Sequence, residues 1–250
     1  MDLKRRRDSP EEERFSPFPD EVLESVLVSL KSKKDRSFVS HVCKDWYNAE
    51  RWSRTHVFIG NCYSVSPEIV VYRFPNIRSV TLKGKPRFLD FNLVPPNYGA
   101  DIHPWLGIFA SSYPFLEELR LKRMVISDES LEFLSQSFPN FRALSLVSCE
   151  GVSTDELLAI ATHCKNLTEL DIQENGIDKL GGTWLSCFPE KFTSLEVLNF
   201  ANMQSDVSYD ALEKLVARCK SLKLRTGSLL QDLTGRQYVQ LEQVLSSLKK

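Results

Sequence analysis

Apolar residues recur along most of the chain in one short pattern, apolar-x-x-apolar-x-apolar. The pattern begins at Ile77, Leu116, Phe141, Leu167 and Leu195, and a compressed version begins at Leu222. After a first interval of 39 residues, the later intervals are 25 to 28 residues, within the range of leucine-rich repeats. The pattern therefore predicts an α/β fold, a leucine-rich-repeat solenoid with parallel strands on the concave face and helices on the convex face.

Helix-start signals lie between the predicted strands. Ser66 precedes Pro67, and Ser127 and Ser153 each precede acidic residues, so helices are predicted after all three serines. An earlier run, VFIGNC from Val57, is predicted to be the first strand of the solenoid. Strands and helices thus alternate from Val57 onward, as a solenoid requires.

A separate helical unit is predicted before the repeats. Its first helix, in FSPFPDEVLESVLVSL, is predicted to start near Pro19. An apolar stripe follows at Val22, Leu23, Val26, Leu27 and Leu30. After the polar linker KSKKDR, the segment SFVSHVCKDWYNAE is predicted to be a second helix and RWSRTHVF a third short run. About 40 residues bury little core alone, so part of this surface is expected to meet another domain or a partner protein.

The first repeat interval contains an insertion of roughly 13 residues, and insertions in solenoids form loops on one face, often the binding face. The stretch LKGKPRFLDFNLVPP opens it. Lys83 and Lys122 each follow the last inward-facing position of their strand, so they are predicted to be neighbours about 4.8 Å apart along the sheet. Arg123, Lys85 and Arg87 are expected to add charge at the same corner.

Like charges placed opposite one another destabilise a sheet, and this basic corner admits two interpretations. A multiply charged anion, such as a phosphate cluster, would relieve the repulsion through charge-assisted hydrogen bonds. Alternatively, the long side chains spread into water at little cost. From the residues alone, Phe88 and Phe91 are interpreted as anchors that pack the inserted loop onto the solenoid, and Asp90 as a turn residue.

Charge and composition exclude several classes of function. The formal net charge is −1, with 32 basic and 33 acidic residues, which argues against bulk binding of nucleic acid or membrane. The six cysteines show no CxxC or zinc-ligand spacing, so reduced cysteines and no metal are expected. No nucleophile–base pairing or phosphate-binding glycine loop is evident, so the chain is predicted not to be an enzyme. The cluster from Lys4 to Arg7 is interpreted as a solvated tail or a weak nuclear-import signal.

Two groups of motifs resemble a known family. FPDEVLESVLVSL and VCKDWYNAERW look like an F-box, the helical motif that binds the Skp adaptor of a cullin-type (SCF) ubiquitin ligase. LKGKPRFLDFNLVPP, LEELRLKRM and SCEGVSTDELLAIA resemble the plant auxin-receptor F-box family. The resemblance implies a nuclear, non-catalytic subunit that binds inositol hexakisphosphate and recruits Aux/IAA repressors through their degron, with auxin as the ligand between them.

The resemblance also assigns roles by position. Residues matching the family's inositol phosphate contacts are Lys83, Lys122 and Arg123. Residues matching its auxin and degron surface are Arg87, Phe88, Asp90 and Phe91, with Arg87 standing where many members have histidine. F-box residues expected to contact the adaptor or pack locally are Pro19, Val22, Leu23, Leu27 and Trp46.

The expected organisation is a disordered charged tail over residues 1–15, an F-box over 16–56, leucine-rich repeats over 57–224 and an irregular, truncated repeat over 225–250. The family's later repeats, which supply the arginine for the auxin carboxylate, have no counterpart here. Two functions therefore remain open at this point: an auxin-receptor-like substrate-recognition subunit, or a regulatory chain that binds the Skp adaptor without a complete auxin pocket.

Overall fold

The computed structural model describes residues 19–30, 32–85, 100–177, 183–203 and 207–226. The chain divides into two compact units, Met1–Arg54 and Thr55–Lys250. We call them the helical unit and the repeat unit and describe each by itself. The predicted residues Arg87, Phe88, Asp90 and Phe91 lie outside the described residues.

The helical unit consists of three helices in its described part. They are α1 (Asp20–Ser29), α2 (Lys33–Val39) and α3 (Lys44–Ser53). Both α1 and α2 pack against α3. Leu23, Leu27 and Ala49 form the core, and Leu30, Val39 and Trp46 pack around it. Three helices agree with the predicted F-box architecture.

The boundaries of the second and third helices differ from the prediction. The polar segment KSKKDR is mostly helical, because the side chain of Ser32 caps α2 by accepting a hydrogen bond from the Asp35 backbone N–H at 3.2 Å. The predicted helix SFVSHVCKDWYNAE is divided at Ser40 to Cys43, and α3 begins after the extended Cys43. Local capping thus outweighed the apolar periodicity on which the prediction relied.

The repeat unit contains one seven-stranded parallel sheet with its strands in chain order. The strands are β1 (His56–Ile59), β2 (Ser79–Lys83), β3 (Glu118–Lys122), β4 (Ala143–Val147), β5 (Glu169–Asp171), β6 (Val197–Asn199) and β7 (Lys223–Arg225). The helices between them are α4 (Pro67–Arg73), α5 (His103–Ser112), α6 (Asp128–Ser137), α7 (Thr154–His163), a 3₁₀ helix (Thr183–Cys187) and α8 (Tyr209–Arg218). This alternation confirms the predicted leucine-rich-repeat solenoid.

The predicted register of the first strands is also confirmed. Val57 pairs with Val80, and Val80 pairs with Leu119. These inward-facing residues join a single core with buried residues of the helices, such as Leu106 and Leu131. The opposite side of the sheet, which we call the open face, carries Arg120 on β3 and its row neighbours on the other strands. β7 includes Arg225, which pairs with Asn199, one residue beyond the predicted end of the regular repeats.

Backbone pairing continues one row beyond the strands. This row, which we call the rim row, consists of Gly84, Arg123, Ser148, Glu174 and Asn202. Each of the four residues other than Gly84 has a positive φ, between 51° and 60°. Gly84, Arg123, Ser148 and Glu174 each donate a backbone hydrogen bond of 2.9 to 3.2 Å to the neighbouring repeat. The repeat therefore places one residue per turn in the left-handed region, at the same edge of the sheet.

A buried position follows the rim row in each repeat, occupied by Met124, Cys149, Asn175 and Met203. Asn175 is fully buried and connects two repeats. Its Oδ1 accepts a hydrogen bond from the Cys149 backbone N–H at 2.7 Å. Its Nδ2 donates to the carbonyl oxygens of Leu146 at 2.6 Å and Ile172 at 2.9 Å. One side chain thus satisfies three buried backbone groups in a turn.

The start of α7 contains an unusual carboxyl group. Ser153 and Glu156 form a capping box, in which the Ser153 backbone N–H donates to Glu156 Oε2 at 2.8 Å. Glu156 is buried, and its Oε1 has no hydrogen-bond partner among the described residues. Burial raises the pKa of Glu156 to about 8; the hydrogen bond from the Ser153 backbone N–H opposes this shift, and the nearby Asp128 and Asp155 add to it. Glu156 is therefore largely protonated at neutral pH.

Candidate functional site

Two lysines stand side by side at the edge of the sheet. Lys83 on β2 is the register partner of Lys122 on β3, as the sequence predicted. Adjacent strands lie about 4.8 Å apart, so the two charges share one corner. Both side chains are partly exposed. Among the residues that the structure describes, neither ammonium group has an ion-pair partner. The pair can therefore accept an anionic ligand without breaking a salt bridge to any described residue.

Arg123 follows Lys122 and lies in the rim row with a φ of 53°. Its backbone N–H donates to the Val147 carbonyl at 2.9 Å, and its Nε donates to the Lys85 carbonyl at 2.6 Å. The Nε contact fixes the plane of the guanidinium group. No described residue accepts a hydrogen bond from the terminal Nη groups of Arg123, and two parallel N–H groups suit a phosphate.

Lys85 was predicted to add a further cation to this corner. It does lie there, since its backbone N–H donates to the Arg123 carbonyl at 2.9 Å, but its ammonium group is held in an ion pair. Its Nζ donates to both carboxylate oxygens of Glu150, at 2.8 and 2.7 Å. The Lys85 side chain is only 13% exposed, whereas that of Glu150 is 63% exposed. Lys85 is thus neutralised by a residue far away in the sequence, which the local charge pattern did not reveal.

The two ends of the insertion attach to the same short segment after β3. At the start, Gly84 and Lys85 donate backbone hydrogen bonds to the carbonyls of Lys122 and Arg123, both at 2.9 Å. At the end, the Val125 backbone N–H donates to Ala100 at 2.7 Å, and Asp101 bridges to Val125. Lys85 and Ala100, the described residues on either side of 86–99, are therefore both hydrogen-bonded to the segment from Arg123 to Val125.

Arg123 supplies a first testable prediction. Arg123→Gly and Arg123→Ala remove the same guanidinium group, but only glycine adopts a positive φ without a steric cost. We expect the glycine variant to be more stable than the alanine variant by about 1 kcal/mol, because an L-residue in the left-handed region is strained by that order. Urea denaturation of the two variants measures the difference. Equal stabilities would show that this turn relaxes when the side chain is shortened.

The open face carries a polar network that the sequence analysis did not single out. Arg120 spans from β3 to β5, where its Nη1 donates to Glu169 Oε1 at 3.1 Å. Between these two strands lies β4, where Ser145, the register partner of Arg120, is buried. Ser145 in turn donates to Asp171 Oδ2 at 3.1 Å. Burial raises the pKa of Asp171, although hydrogen bonds from Gln173 and Ser145 oppose this effect. In the sequence, Arg120 is the polar residue between the last two leucines of LEELRL, and this position indicated that it faces the side of the sheet away from the core.

In the helical unit, the residues that pack in the core can be told apart from those exposed for contact with a partner, which the sequence alone did not allow. Leu23 and Leu27 are fully buried in its core, and Trp46 packs around that core. Packing is therefore their role in this structure. Pro19 is exposed, and Val22 is 42% exposed on the outer side of α1. Within the predicted apolar stripe, exposed residues such as Val22 can contact a partner, whereas Leu23 and Leu27 are buried in the helical unit.

Within the described ranges, no three His, Cys, Asp or Glu residues lie close enough together to hold a metal ion. No described helix combines the length and apolar character needed to cross a membrane.

Comparison with known proteins finds matches in both units. Residues 15–56 match the F-box family, and residues 75–121 match the transport inhibitor response 1 protein domain. GRR1-like protein 1 from Arabidopsis thaliana is 50% identical over 221 residues, which cover 87% of this chain. A transport inhibitor response 1-like protein from Oryza sativa is 49% identical over 82% of the chain. The chain is similar over most of its length to transport inhibitor response 1-type F-box proteins.

The chain is also similar, at lower identity, to another relative. Coronatine-insensitive protein 1 from Arabidopsis thaliana is 37% identical over 81% of the chain. The chain spans only 38% of the length of GRR1-like protein 1 and 35% of the other two relatives. The matched domain over 75–121 contains β2, the insertion and most of β3. It therefore encloses the segment on which Lys83 lies and ends immediately before Lys122.

Proposed function

We propose that this chain is a substrate-recognition subunit of an SCF ubiquitin ligase and has no catalytic activity of its own. The F-box match over residues 15–56 supports binding to a Skp-type adaptor and, through it, to a cullin. The match to the transport inhibitor response 1 domain supports substrate recognition by the repeat unit. The observation that carries the proposal is the basic corner of Lys83, Lys122 and Arg123 beside both ends of the insertion.

The adaptor surface that we propose lies on the exposed apolar residues of the helical unit. Val22 and Val26 are partly exposed on α1, and Phe38 and Val42 are 61% and 67% exposed. Soluble proteins expose clustered apolar residues chiefly where another protein covers them. Pro19 adds an exposed ring at the start of α1. These residues, rather than Leu23 and Leu27, are the proposed adaptor contacts.

The ligand that we propose for the basic corner is inositol hexakisphosphate. Lys83 and Lys122 repel each other in adjacent strands, and a polyphosphate converts that repulsion into attraction. Arg123 offers terminal N–H groups of fixed orientation beside them. The three residues therefore fit one end of a polyphosphate and would hold it by charge-assisted hydrogen bonds.

The substrate that we propose is the degron of an Aux/IAA repressor, captured together with auxin. Arg87, Phe88, Asp90 and Phe91 of the insertion are the proposed contacts. The greater identity to the transport inhibitor response 1-like protein, 49% against 37% for coronatine-insensitive protein 1, favours auxin as the hormone.

If the targets are transcriptional repressors, the chain should be located in the nucleus, and imaging of a fluorescent fusion in plant cells would test this. Retention of the fusion in the cytosol would contradict it.

The inositol phosphate site gives a second prediction. In the complex with a Skp-type adaptor, Lys83→Ala and Lys122→Ala should each weaken inositol hexakisphosphate binding by about tenfold, because each removes a charge-assisted contact. Isothermal titration calorimetry measures the dissociation constants. Lys214→Ala is the matched control, because Lys214 is an exposed lysine on α8 that pairs only with Asp210 among the described residues. Equal affinities for all three variants would reject the basic corner as the site.

Capture of an Aux/IAA degron peptide tests the function as a whole. The adaptor-bound chain is incubated with the immobilised peptide, with and without auxin, and the retained protein is measured. Auxin-dependent retention is expected, and Phe88→Ala should reduce it. Adaptor binding without any response to auxin would instead support the second function, a regulatory chain that lacks a complete auxin pocket.

A further inference from the structure

Glu150 is an acidic residue placed at the basic corner by the backbone. Its N–H donates to the Met124 carbonyl at 3.0 Å, and its carbonyl accepts from the Ile126 N–H at 2.9 Å. It also bridges to Val125, which in turn bridges to Asp101 at the end of the insertion. Glu150 is thus fixed to the segment that directly follows Arg123. Near a site for a polyanion, a carboxylate would ordinarily weaken binding.

The Glu150 side chain reaches Lys85 and holds it. Both carboxylate oxygens accept from Lys85 Nζ, and the lysine side chain is only 13% exposed. A two-point, partly buried contact of this kind restricts the lysine more than an exposed surface pair does. Glu150 therefore restrains the side chain of Lys85.

The Lys85 main chain, in turn, contacts Arg123 twice. Its N–H donates to the Arg123 carbonyl at 2.9 Å, and its carbonyl accepts from Arg123 Nε at 2.6 Å. Gly84 permits this close approach, because an added Cβ would lie 2.2 Å from the Arg123 carbonyl oxygen. The contacts thus form a chain from the Glu150 carboxylate through Lys85 to the Arg123 guanidinium.

We propose that Glu150 is a positioning residue for anion binding, which acts through Lys85 to orient the guanidinium group of Arg123. This proposal rests on the proposed inositol phosphate site. It makes a prediction opposite to that of simple electrostatics. If charge alone matters, removing the Glu150 carboxylate should strengthen polyanion binding, because it removes a repulsion. The gain should be only about twofold, because solvent and salt screen exposed charges. Loss of positioning should weaken binding instead.

The test is Glu150→Gln in the adaptor-bound chain. A glutamine keeps the size of the side chain but loses the charge and the two-point contact. We expect inositol hexakisphosphate binding, measured by calorimetry, to weaken about fivefold, because an unheld arginine pays conformational entropy on binding. The double variant Lys85→Glu with Glu150→Lys restores the ion pair in reverse and should recover affinity to within about twofold. Binding by Glu150→Gln that equals or exceeds the unmodified chain would overturn the proposal.

Two further measurements sharpen the result. Glu174→Gln is the matched control, because Glu174 lies in the rim row but contacts Ser148 rather than Lys85. It should leave affinity unchanged or raise it slightly. The exchange rate of the Arg123 Nε proton, followed by nitrogen-edited NMR, reports the Lys85 contact directly and should rise in Glu150→Gln.

The NMR measurement distinguishes failure of this proposal from failure of the proposed function. Faster exchange in Glu150→Gln, in a chain that does not bind inositol hexakisphosphate, would support the orientation of Arg123 and reject the ligand. An unchanged exchange rate would overturn the positioning role of Glu150, whatever the unmodified chain binds.

Discussion

Replacing Asn175 with alanine is expected to lower the free energy of unfolding of the repeat unit by about 4 kcal/mol, since each buried polar group left without a partner costs about 1 to 3 kcal/mol. Three groups lose their partner at once, namely the Cys149 N–H and the carbonyls of Leu146 and Ile172. Leu146 lies near the end of β4, Cys149 follows β4, and Ile172 directly follows β5. Because Asn175 is fully buried, water cannot replace the amide without opening the structure.

Urea denaturation followed by circular dichroism measures this loss, and Asn166→Ala provides the control. Asn166 is exposed and makes one hydrogen bond, from its Nδ2 to the Pro139 carbonyl at 3.1 Å. Its replacement should cost less than about 1 kcal/mol, because water can take over that hydrogen bond. Similar losses in the two variants would mean that Asn175 does not hold the turns together.

Glu156→Gln is expected to raise stability above pH 8 by about 2 kcal/mol, since it removes the cost of ionising a buried carboxyl group. The glutamine Oε1 can still accept from the Ser153 N–H, and its amide suits the carboxylate of Asp128 nearby. The folded pKa of Glu156 is about 8, above its ordinary value of 4.5. The folded state therefore binds more protons than the unfolded state between these two values, and stability falls as the pH rises through this range.

Thermal unfolding at a series of pH values from 5 to 9 checks both the sign and the window of this effect. The difference between Glu156→Gln and the unmodified chain should grow with pH up to about pH 8 and then level off. Glu129→Gln is the control, because Glu129 is an exposed residue in the first turn of α6. A pH-independent difference for Glu156→Gln would show that Glu156 is ionised throughout.

Much of the repeat unit could be predicted because its information is periodic. The spacing of apolar residues gave the order of the strands, and equal repeat positions gave the pairing of Lys83 with Lys122. The serine caps at Ser127 and Ser153 marked the starts of α6 and α7 correctly, since such caps act within one helical turn. Features that depend on a few neighbouring residues, or that repeat at fixed intervals, could thus be predicted from the sequence.

The features that sequence reasoning missed depend on contacts between distant residues. Nothing near Lys85 indicates that it pairs with Glu150, 65 residues away. Arg120 reaches past the adjacent strand to Glu169, which a rule for neighbouring strands does not anticipate. In the helical unit, Ser32 began a helix inside a segment whose charges suggested a linker. Side-chain reach and local capping, rather than hydrophobic period, decided each case.

The positive φ of the rim row affects how mutagenesis of this surface is read. Arg123, Ser148 and Glu174 all occupy a backbone conformation that costs an L-residue about 1 kcal/mol. Alanine keeps this backbone cost and removes the side chain, whereas glycine removes the side chain and also relieves the backbone cost. The alanine variant therefore reports the side chain at unchanged backbone strain. The difference between the alanine and glycine variants at each position measures the strain that the native residue carries.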